Sequence, residues 1–468
     1  MVAVPSRGYC GRAPTSSMHE YERKLPEALT AIREAAVPLG DEHDEERVLA
    51  TIGDASVVLL GEATHGTNEF YGLRARITRA LIQQRGFSAV AIEGDWPDAY
   101  AVNRFVQGDS AASGPVEALN AFRRFPTWMW RNTAVVDFIA WLRDHNRGMV
   151  DPRQRVGFYG LDLYSLHASM RAVVDYLEEH DPEAAREARR SYACFEDFGL
   201  DPEAYAWATS KLEQNSCEEA VARELAELQA RRAESLRRRD PAALDELFYA
   251  EQNARLARNA ERYYRTMFRG RVASWNIRDT HMAETLEELL THLNSRGQPP
   301  KVVVWAHNSH VGDARATEMG RLGEVTLGQL VRERHPAEAC LMGLTTYRGA
   351  VIAASDWGEA PYCKRVRPAL PGSYEELFHD TGMSRFLLPM RVGSPAAEVL
   401  STERLERAIG VIYRPETERF SHYFKAQLAA QFDAVIHVDD TRAVEPIDVA
   451  QEEAWEPGEA AETYPSGM

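Results

Sequence analysis

Short apolar runs, each bounded by Gly, Asp or Pro, alternate with helical segments in the first third of this chain. The runs are rich in β-branched and aromatic residues, as buried strands are. Such alternation is typical of a parallel sheet with right-handed crossovers. We therefore expect an α/β fold with a central, mostly parallel sheet flanked by helices. The predicted strands are 57–60, 89–92, 156–160, 302–306, 340–347, 385–390, 409–413 and 434–438, and the predicted helices around the first of them are 20–37, 68–85, 98–107, 115–123 and 133–146.

Strand signals vanish between residues 166 and 292, where long charged amphipathic segments take over. Asp240-Pro241 separates two of these segments, a pattern that predicts an antiparallel helical hairpin packed beside the sheet. The charge runs are also typical of a solvated helix face. The predicted organisation is a disordered leader at 1–19, an α/β domain at 20–165 and 293–445, a helical insertion at 166–292 and a flexible acidic tail at 446–468.

The charge and composition of the chain exclude several classes of binding partner. The formal net charge of −17 argues against binding to a nucleic-acid backbone or to an acidic membrane surface. No apolar run reaches the roughly 18 residues of a membrane helix, and the N-terminus lacks the apolar segment of a signal peptide. The five cysteines are odd in number, widely spaced and without a CxxC pair, so we expect no disulfide framework and no structural zinc site. A reducing, cytoplasmic location and a small-molecule substrate follow as expectations, and the oligomeric state stays open.

Polar clusters directly follow four of the predicted strands. They are 61–66 (GEATHG), 93–96 (EGDW), 161–165 (LDLYS) and 307–310 (HNSH). Ligands of open parallel sheets bind at the carboxyl ends of the strands. Neighbouring parallel strands would therefore bring two Glu, two Asp and three His to one edge of the sheet.

The segment GEATHG holds the first candidate pair, Glu62 and His65. Its two glycines allow tight backbone turns next to a substrate. A helix with Thr67 or Asn68 as its N-cap is predicted to follow, and the positive end of its dipole disfavours a protonated imidazole. A neutral imidazole is what a general base requires, and Glu62 is spaced to orient it. The alternative is a buried histidine that satisfies a loop.

Glu93 follows a fully apolar strand and is expected to be partly buried at the sheet edge. A salt bridge to an arginine such as Arg74 would be a purely structural role for it. Arg74 lies on the helix after GEATHG, where it could hold Glu93 or a developing oxyanion.

His307 and His310 are three residues apart, and with Asp313 they read as H-x-x-H-x-x-D. This spacing resembles that of metal ligands, so a divalent metal at His307 and His310 is one alternative. The HExxH motif is absent and the segment follows a strand, which favours catalysis without a cofactor. The third hypothesis is that His307 and His310 have only a structural role.

Other catalytic templates are missing from the sequence. No GxSxG elbow, P-loop or GxGxxG fingerprint occurs, and no cysteine stands in a nucleophile motif. Histidine and glutamate without a covalent nucleophile favour direct attack by an activated water. Aromatic residues between 125 and 130, Trp128 and Trp130 among them, could line an apolar cleft for a bulky ligand together with Trp96, Tyr100, Trp275 and Trp357. Core packing is the alternative for each of them.

Six segments resemble the erythromycin esterase family, in the order in which that family has them. They are LLGEATHGTNEFYGLRARI, AVAIEGDWPDAYAVNRFV, FPTWMWRN, FYGLDLYS, WNIRDTHMAE and VVVWAHNSHVGDA, and the resemblance covers about residues 57–440. It implies a two-lobed α/β protein with a helical insertion and a hydrolase of esters, in the best-known members the lactone of a macrolide. It further implies that His65 is the general base and that Glu62, Arg74, Glu93, His307 and His310 complete the site.

The sequence thus predicts a metal-independent hydrolase of an ester or lactone. Three rivals remain, namely a metallohydrolase, a binding protein that has lost turnover, and a hydrolase of an unknown metabolite. Trp96, Trp128, Trp130, Asp162 and Arg278 are the candidates for substrate binding, and Arg278 could also organise the acids.

Overall fold

Most of the apolar runs form strands in the computed structural model, which describes residues 15–198, 202–211, 216–238, 241–268 and 270–447. The strands of these residues are β1 (Val37–Pro38), β2 (Val57–Leu60), β3 (Ala89–Asp95), β4 (Gly157–Asp162), β5 (Val302–Trp305), β6 (Ala339–Ala353), β7 (Tyr362–Val366), β8 (Arg385–Pro389), β9 (Arg404–Arg407), β10 (Tyr423–Ala426) and β11 (Ala434–Thr441).

Helices surround the strands and fill the segment between β4 and β5. They are α1 (Thr15–Ala35), α2 (Asp44–Ile52), α3 (Asn68–Arg85), α4 (Trp96–Gln107), α5 (Pro115–Leu119), α6 (Thr133–Arg147), α7 (Leu166–His180), α8 (Pro182–Tyr192), α9 (Pro202–Lys211), α10 (Glu218–Arg238), α11 (Pro241–Met267), α12 (Arg271–Ser295), α13 (Asn308–Val311), α14 (Glu318–Arg321), α15 (Leu327–Arg334), α16 (Tyr374–His379), α17 (Pro395–Leu400), α18 (Glu418–Ser421) and α19 (Leu428–Gln431).

The main sheet has a parallel centre and antiparallel edges. Strands β11, β6, β2, β5, β3 and β4 lie side by side in that order, and each pair is parallel. Strand β8 adds to β11 and β7 adds to β6, both antiparallel. The predicted α/β class with a mostly parallel sheet is confirmed. Leu60 and Ile92 both pair with Trp305, so β2, β5 and β3 end level with one another.

Alternate strand residues face two separate apolar layers, as the period of two of a β-strand requires. Val57 and Leu59 pack with helices of the segment between β4 and β5, and Val58 and Leu60 pack with residues of α3, α4 and α6. Both faces of the sheet are therefore covered, and polar side chains have room only at the strand ends. Helices α10 and α11, which the sequence predicted on either side of Asp240-Pro241, pack against each other.

Residues 409–413 were predicted as a strand, and this prediction was wrong. Only isolated bridges form there, from Ile409 to Thr64 and from Ile412 to Ala354. The segment runs past two different partners, so no continuous ladder develops, although its apolar side chains are buried as those of a strand would be. The short strands β1, β7, β9 and β10 were not predicted, because edge strands lack a long apolar run.

Three other expectations change. Residues 15–19 of the predicted leader belong to α1, while 1–14 lie outside the described residues. At the predicted tail, the Ile447 amide donates to the Arg131 carbonyl, and residues 448–468 are not described. Cys194 and Cys217 are disulfide-bonded, which contradicts the expectation drawn from cysteine number and spacing. Helix packing brings them together, and sequence spacing does not reveal this.

Across the described segments, no helix is long and apolar enough to cross a membrane.

Gly66 is required by close packing, and this can be tested against a neighbouring glycine. A β-carbon at Gly66 would overlap the backbone of Ile352 in β6, whereas one at Gly72, inside α3, would meet nothing within 4 Å. We expect Gly66→Ala to destabilise the protein by about 1–3 kcal/mol or more. Gly72→Ala should stabilise it by roughly 0.5–1 kcal/mol, because alanine favours helices. Thermal unfolding of both variants checks this, and equal midpoints would contradict it.

Candidate active site

The loop that follows β2 is fixed by backbone hydrogen bonds on three sides. Its first amide, that of Gly61, donates to the Met342 carbonyl of β6 at 2.8 Å. The Ile409 amide donates to the Ala63 carbonyl at 2.8 Å, and the His65 amide donates to the Ile409 carbonyl at 3.2 Å. The Glu62 carbonyl accepts the amide of Asn308 at 2.8 Å. Neither Gly61 nor Gly66 has a positive φ, so the loop needs glycine at these positions because neighbouring groups pack too closely for a side chain.

His65 is oriented by Glu62, as the sequence predicted. Nδ1 of His65 lies 3.0 Å from Oε1 of Glu62, and both side chains are at most 3% exposed. The other Glu62 oxygen, Oε2, lies 3.0 Å from Nη2 of Arg74. Arg74 thus pairs with Glu62, and the suggestion that it holds Glu93 was wrong. The Tyr71 hydroxyl donates to the His65 carbonyl at 2.8 Å and fixes the backbone of the loop.

Glu93 lies at the centre of the cluster, beyond the apolar part of β3. Its Oε2 accepts the His307 amide at 2.8 Å, and its Oε1 accepts Nη2 of Arg278 at 2.8 Å. Oε1 is also 3.9 Å from Nε2 of His65 and 3.3 Å from Nε2 of His310. Burial opposes ionisation of Glu93, but the imidazoles of His310 and His65, together with Arg278, hold the pKa of its carboxyl well below the usual value.

Arg278, on α12, also binds Asp162 at the end of β4. Its Nε donates to Oδ1 at 3.0 Å and its Nη2 to Oδ2 at 2.7 Å, the two-point geometry that a guanidinium favours. The guanidinium lies over the Tyr164 ring, with 4.9 Å between Cζ and the ring centroid. Arg278 and Asp162 are therefore in the cluster, as parts of its charged framework.

His310 lies between two carboxylates and beneath an indole. Its Nδ1 is 2.9 Å from both carboxylate oxygens of Asp279, and the Trp275 ring stacks on it with 4.5 Å between centroids. Burial alone would lower the pKa of His310, but Asp279 and Glu93 outweigh burial and raise it to about 10. The protonated form of His310 is therefore the stable one at neutral pH.

His307 has the opposite electrostatic environment. Its Nδ1 accepts the Ser309 amide at 3.2 Å and lies 2.8 Å from the Ser309 hydroxyl. Burial and the nearby His65 imidazole hold the pKa of His307 well below the usual value. The ring centroids of His307 and His65 are 4.7 Å apart. Since Nδ1 accepts hydrogen bonds, the ring proton lies on Nε2, which has no well-aligned partner among the described residues although the Ala63 carbonyl lies near the ring.

The aromatic candidates do not form one wall. Trp96 stacks on Tyr159 at 5.6 Å and packs against Phe248, in the apolar layer on the side of the helices between β4 and β5. Trp128 and Trp130 belong to the other layer, so the expectation that Trp96 joins them was wrong. Trp130 contacts Tyr71 edge-on at 6.3 Å, which places it directly behind the His65 loop.

The H-x-x-H-x-x-D spacing does not converge on one point. Asp313 pairs with Arg315 and Arg332, at 2.6 and 3.1 Å. Both ring nitrogens of His310 already face partners within the protein. In the part of the chain that the structure describes, no group of three or more His, Cys, Asp or Glu side chains is arranged to hold a metal ion.

Sequence reasoning missed three residues of this cluster, namely Asp279, Tyr71 and Ser309. Each stands inside a segment quoted above: Asp279 and Ser309 are adjacent to candidates that were chosen, and Tyr71 lies three residues before Arg74. Asp279 directly follows Arg278 on α12, and a buried helix with adjacent opposite charges was the available signal.

Fold and site together define an α/β protein with a buried acid–base cluster at the carboxyl edge of its sheet. The sequence profile of the erythromycin esterase family matches residues 82–441, and the chain belongs to this family. The family and its named relatives support classing the chain as a hydrolase that acts on a small molecule.

Two curated relatives align over most of the chain. Erythromycin esterase type II of Escherichia coli is 22% identical over 430 residues, which are 87% of this chain and 95% of that protein. A putative hydrolase of Bacillus subtilis is 22% identical over 402 residues, which are 82% and 83% of the two chains.

Solved structures share the fold. A succinoglycan biosynthesis protein superposes with a TM-score of 0.73 at 21% identity, over 90% of this chain and 98% of that one. A mutant of the erythromycin esterase EreC, in its open conformation, superposes with a TM-score of 0.60 at 17% identity, over 86% and 94%.

The charge of His310 depends on Asp279, and Asp279→Asn tests this dependence. We expect the variant to lower the pKa of His310 from about 10 towards its usual value of 6.5. A raised folded-state pKa stabilises the fold fully below about pH 6.5, and this contribution is lost as the pH rises towards about 10. The free energy of unfolding should therefore fall less steeply across this window in the variant than in the wild type.

Nuclear magnetic resonance of the imidazole nitrogens measures the pKa directly, and urea unfolding across the same pH window measures the stability. Asp440→Asn is the control, because Asp440 forms an exposed pair with Arg348. An unchanged pKa of His310 in Asp279→Asn would rule out the dependence.

Proposed function

We propose that this protein hydrolyses a carboxylic ester or a lactone by direct attack of a water molecule that His65 deprotonates. The observation that carries the proposal is the 3.0 Å contact between Glu62 Oε1 and His65 Nδ1. Glu62 keeps a proton on Nδ1, so that Nε2 carries the lone pair that takes the proton of water. Nε2 faces Glu93, whose carboxylate is well placed to hold that water.

His307 is the second acting group in this proposal. Its Nε2–H is the donor that would stabilise the oxyanion of the tetrahedral intermediate, next to the His65 ring. Collapse of the intermediate breaks the bond between the acyl carbon and the leaving oxygen. The proton taken up by His65 then passes to that oxygen, so that an ester yields an acid and an alcohol and a lactone opens to one hydroxy acid.

Glu93, His310 and Arg278 have supporting roles. The sequence left open whether Glu93 positions water or protonates the leaving oxygen. Its lowered pKa favours the first role, because a carboxylate has no proton to give. His310 and Arg278 keep Glu93 ionised and fixed, which makes them positioning residues. Arg74 does the same for Glu62.

Opening of the protein is part of the proposal. Glu62, His65, Glu93, His307 and His310 are at most 4% exposed, so substrate reaches them only after covering segments move. The Phe125 and Trp357 rings, 4.6 Å apart, join the loop at 125–130 to the segment after β6. Separation of these two segments is the simplest route to the site. A macrolide lactone is the first substrate to test, because the relative from E. coli is named an erythromycin esterase.

His65→Ala should lower kcat about 10²–10⁴-fold, the usual contribution of a general base. The assay uses aryl esters and a panel of macrolides, and it follows the gain in mass of one water. His43→Ala is the matched control, because His43 is exposed and lies at the start of α2. An active, folded His65→Ala protein would sink the assignment of the base, and a covalent acyl adduct on the wild-type protein would sink direct water attack.

Catalysis without a metal is proposed because both ring nitrogens of His310 are already engaged by protein groups. Activity should therefore survive chelation, and metal analysis of the purified protein should find less than one equivalent. Loss of activity on chelation, restored by a divalent ion, would favour the metallohydrolase instead.

A further inference from the structure

A second cleft lies outside the acid–base cluster, beside the hairpin of β6 and β7. It has a volume of about 880 Å³, and its charged lining consists of Lys364, Arg365, Arg367, Arg414 and Glu416. Four cations and one acid line it, in a chain that has 54 basic and 71 acidic residues. This local excess of positive charge runs against the charge of the whole molecule.

Two of the cations are held rigidly in the wall. Nζ of Lys364 donates to the carbonyls of Ala354 and Tyr413, each at 2.8 Å. Nε of Arg414 donates to the Ser355 carbonyl at 2.9 Å, and its Nη2 pairs with Asp356 at 3.1 Å. These bonds tie together the segments on the two sides of the cleft, and the positive charge is in place before any ligand arrives.

The other two cations, Arg365 and Arg367, are exposed at the surface. Arg365 and Arg367 form no side-chain hydrogen bond or close ion pair within the described part of the chain, and the charge of Arg367 acts at longer range on Glu418. Arg365 lies in β7 and Arg367 directly follows its last residue, and both line the cleft. Guanidinium groups bind phosphate and carboxylate oxygens with two parallel hydrogen bonds.

The cleft is one short stretch of chain away from the candidate active site. Ile409 is hydrogen-bonded to the His65 loop, and Tyr413, four residues later, lines the cleft. Four extended residues span at most about 14 Å. A small molecule in the cleft would therefore lie close to the loop that carries His65.

We propose that this cleft binds the oxyanion of a small molecule, a phosphate or a carboxylate, through Arg365 and Arg367. The fixed charge of Lys364, which is bonded to neutral oxygens, adds a favourable potential that a cleft concentrates, whereas Asp356 offsets the charge of Arg414. A nucleic acid is a poor match, because the net charge of −17 repels an extended polyanion. Binding here does not depend on the proposed esterase activity.

Isothermal titration calorimetry of the full chain tests the proposal, with inorganic pyrophosphate as the phosphate probe and citrate as the carboxylate probe. The variant is Arg365→Ala/Arg367→Ala. The control is Arg186→Ala/Arg391→Ala, which removes the same charge from two exposed arginines elsewhere. We expect at least one probe to bind the wild type, with binding weakened by added potassium chloride. The variant should lose about tenfold in affinity per arginine or more, and the control less than about twofold.

Each outcome has one meaning. Binding of pyrophosphate alone identifies a phosphate site, binding of citrate alone identifies a carboxylate site, and equal binding identifies a site that selects for charge. The proposal is overturned if neither probe binds the wild type, if the variant keeps full affinity, or if the control loses as much as the variant. Should the alanine variant fail to fold, Arg365→Gln/Arg367→Gln gives the same comparison with less loss of side-chain volume.

Discussion

The rest of the site depends on the ion pairs that the buried guanidinium of Arg278 forms. From α12 it reaches the ends of two strands, binding Glu93 of β3 and Asp162 of β4. Glu93 in turn accepts the backbone amide of His307, which sets where α13 begins. One cation thus aligns three strand ends and a helix. Loss of a partner from a buried ion pair typically costs about 3–5 kcal/mol, so the fold and the site share this constraint.

The charges around Arg278 are nearly balanced. Glu62, Glu93, Asp162 and Asp279 supply negative charge, and Arg74, Arg278 and protonated His310 supply positive charge. With all four acids ionised, the cluster has one negative charge more than positive. In the proposed reaction His65 gains the proton of the attacking water, so the side chains of the cluster become neutral in sum while the intermediate gains one negative charge. Since water is largely excluded, such compensation must come from groups already fixed in the protein.

The sequence predicted the parts of this arrangement that depend on local pattern. Apolar runs identified the six parallel strands, and the polar residues after four of them identified the edge where Glu62, Glu93, Asp162 and His307 meet. The local pattern did not predict which arginine pairs with which acid. Arg74 and Arg278 could each have served Glu93, and only the packing of α3 and α12 on the sheet assigns Arg74 to Glu62.

The predictions were wrong where tertiary contacts, and not the local sequence pattern, determine the structure. Residues 409–413 have the composition of a strand but pass from Thr64 to Ala354 without a continuous partner. Trp96 directly follows a site strand, yet its ring points into the apolar layer on the far side of the sheet from Trp128. Cys194 and Cys217 meet because helices pack, and neither spacing nor number indicates that. The sequence also did not predict the cleft at Arg365 and Arg367, because two arginines at the end of an unpredicted edge strand, one in it and one just after it, have no pattern that marks them.

The three histidines of the site show why residue type alone does not give a role. Glu62 at Nδ1 of His65 leaves a lone pair on Nε2, which suits a base. The Ser309 amide at Nδ1 of His307 forces the proton onto Nε2, which suits a donor. Asp279 and Glu93 on either side of His310 keep both nitrogens protonated, which suits a fixed cation. The groups at both ring nitrogens therefore set the role of each histidine. A carboxylate at Nδ1 suits either a base or a cation, and the shorter contact of Nε2 with Glu93, 3.3 Å for His310 against 3.9 Å for His65, favours the cation at His310.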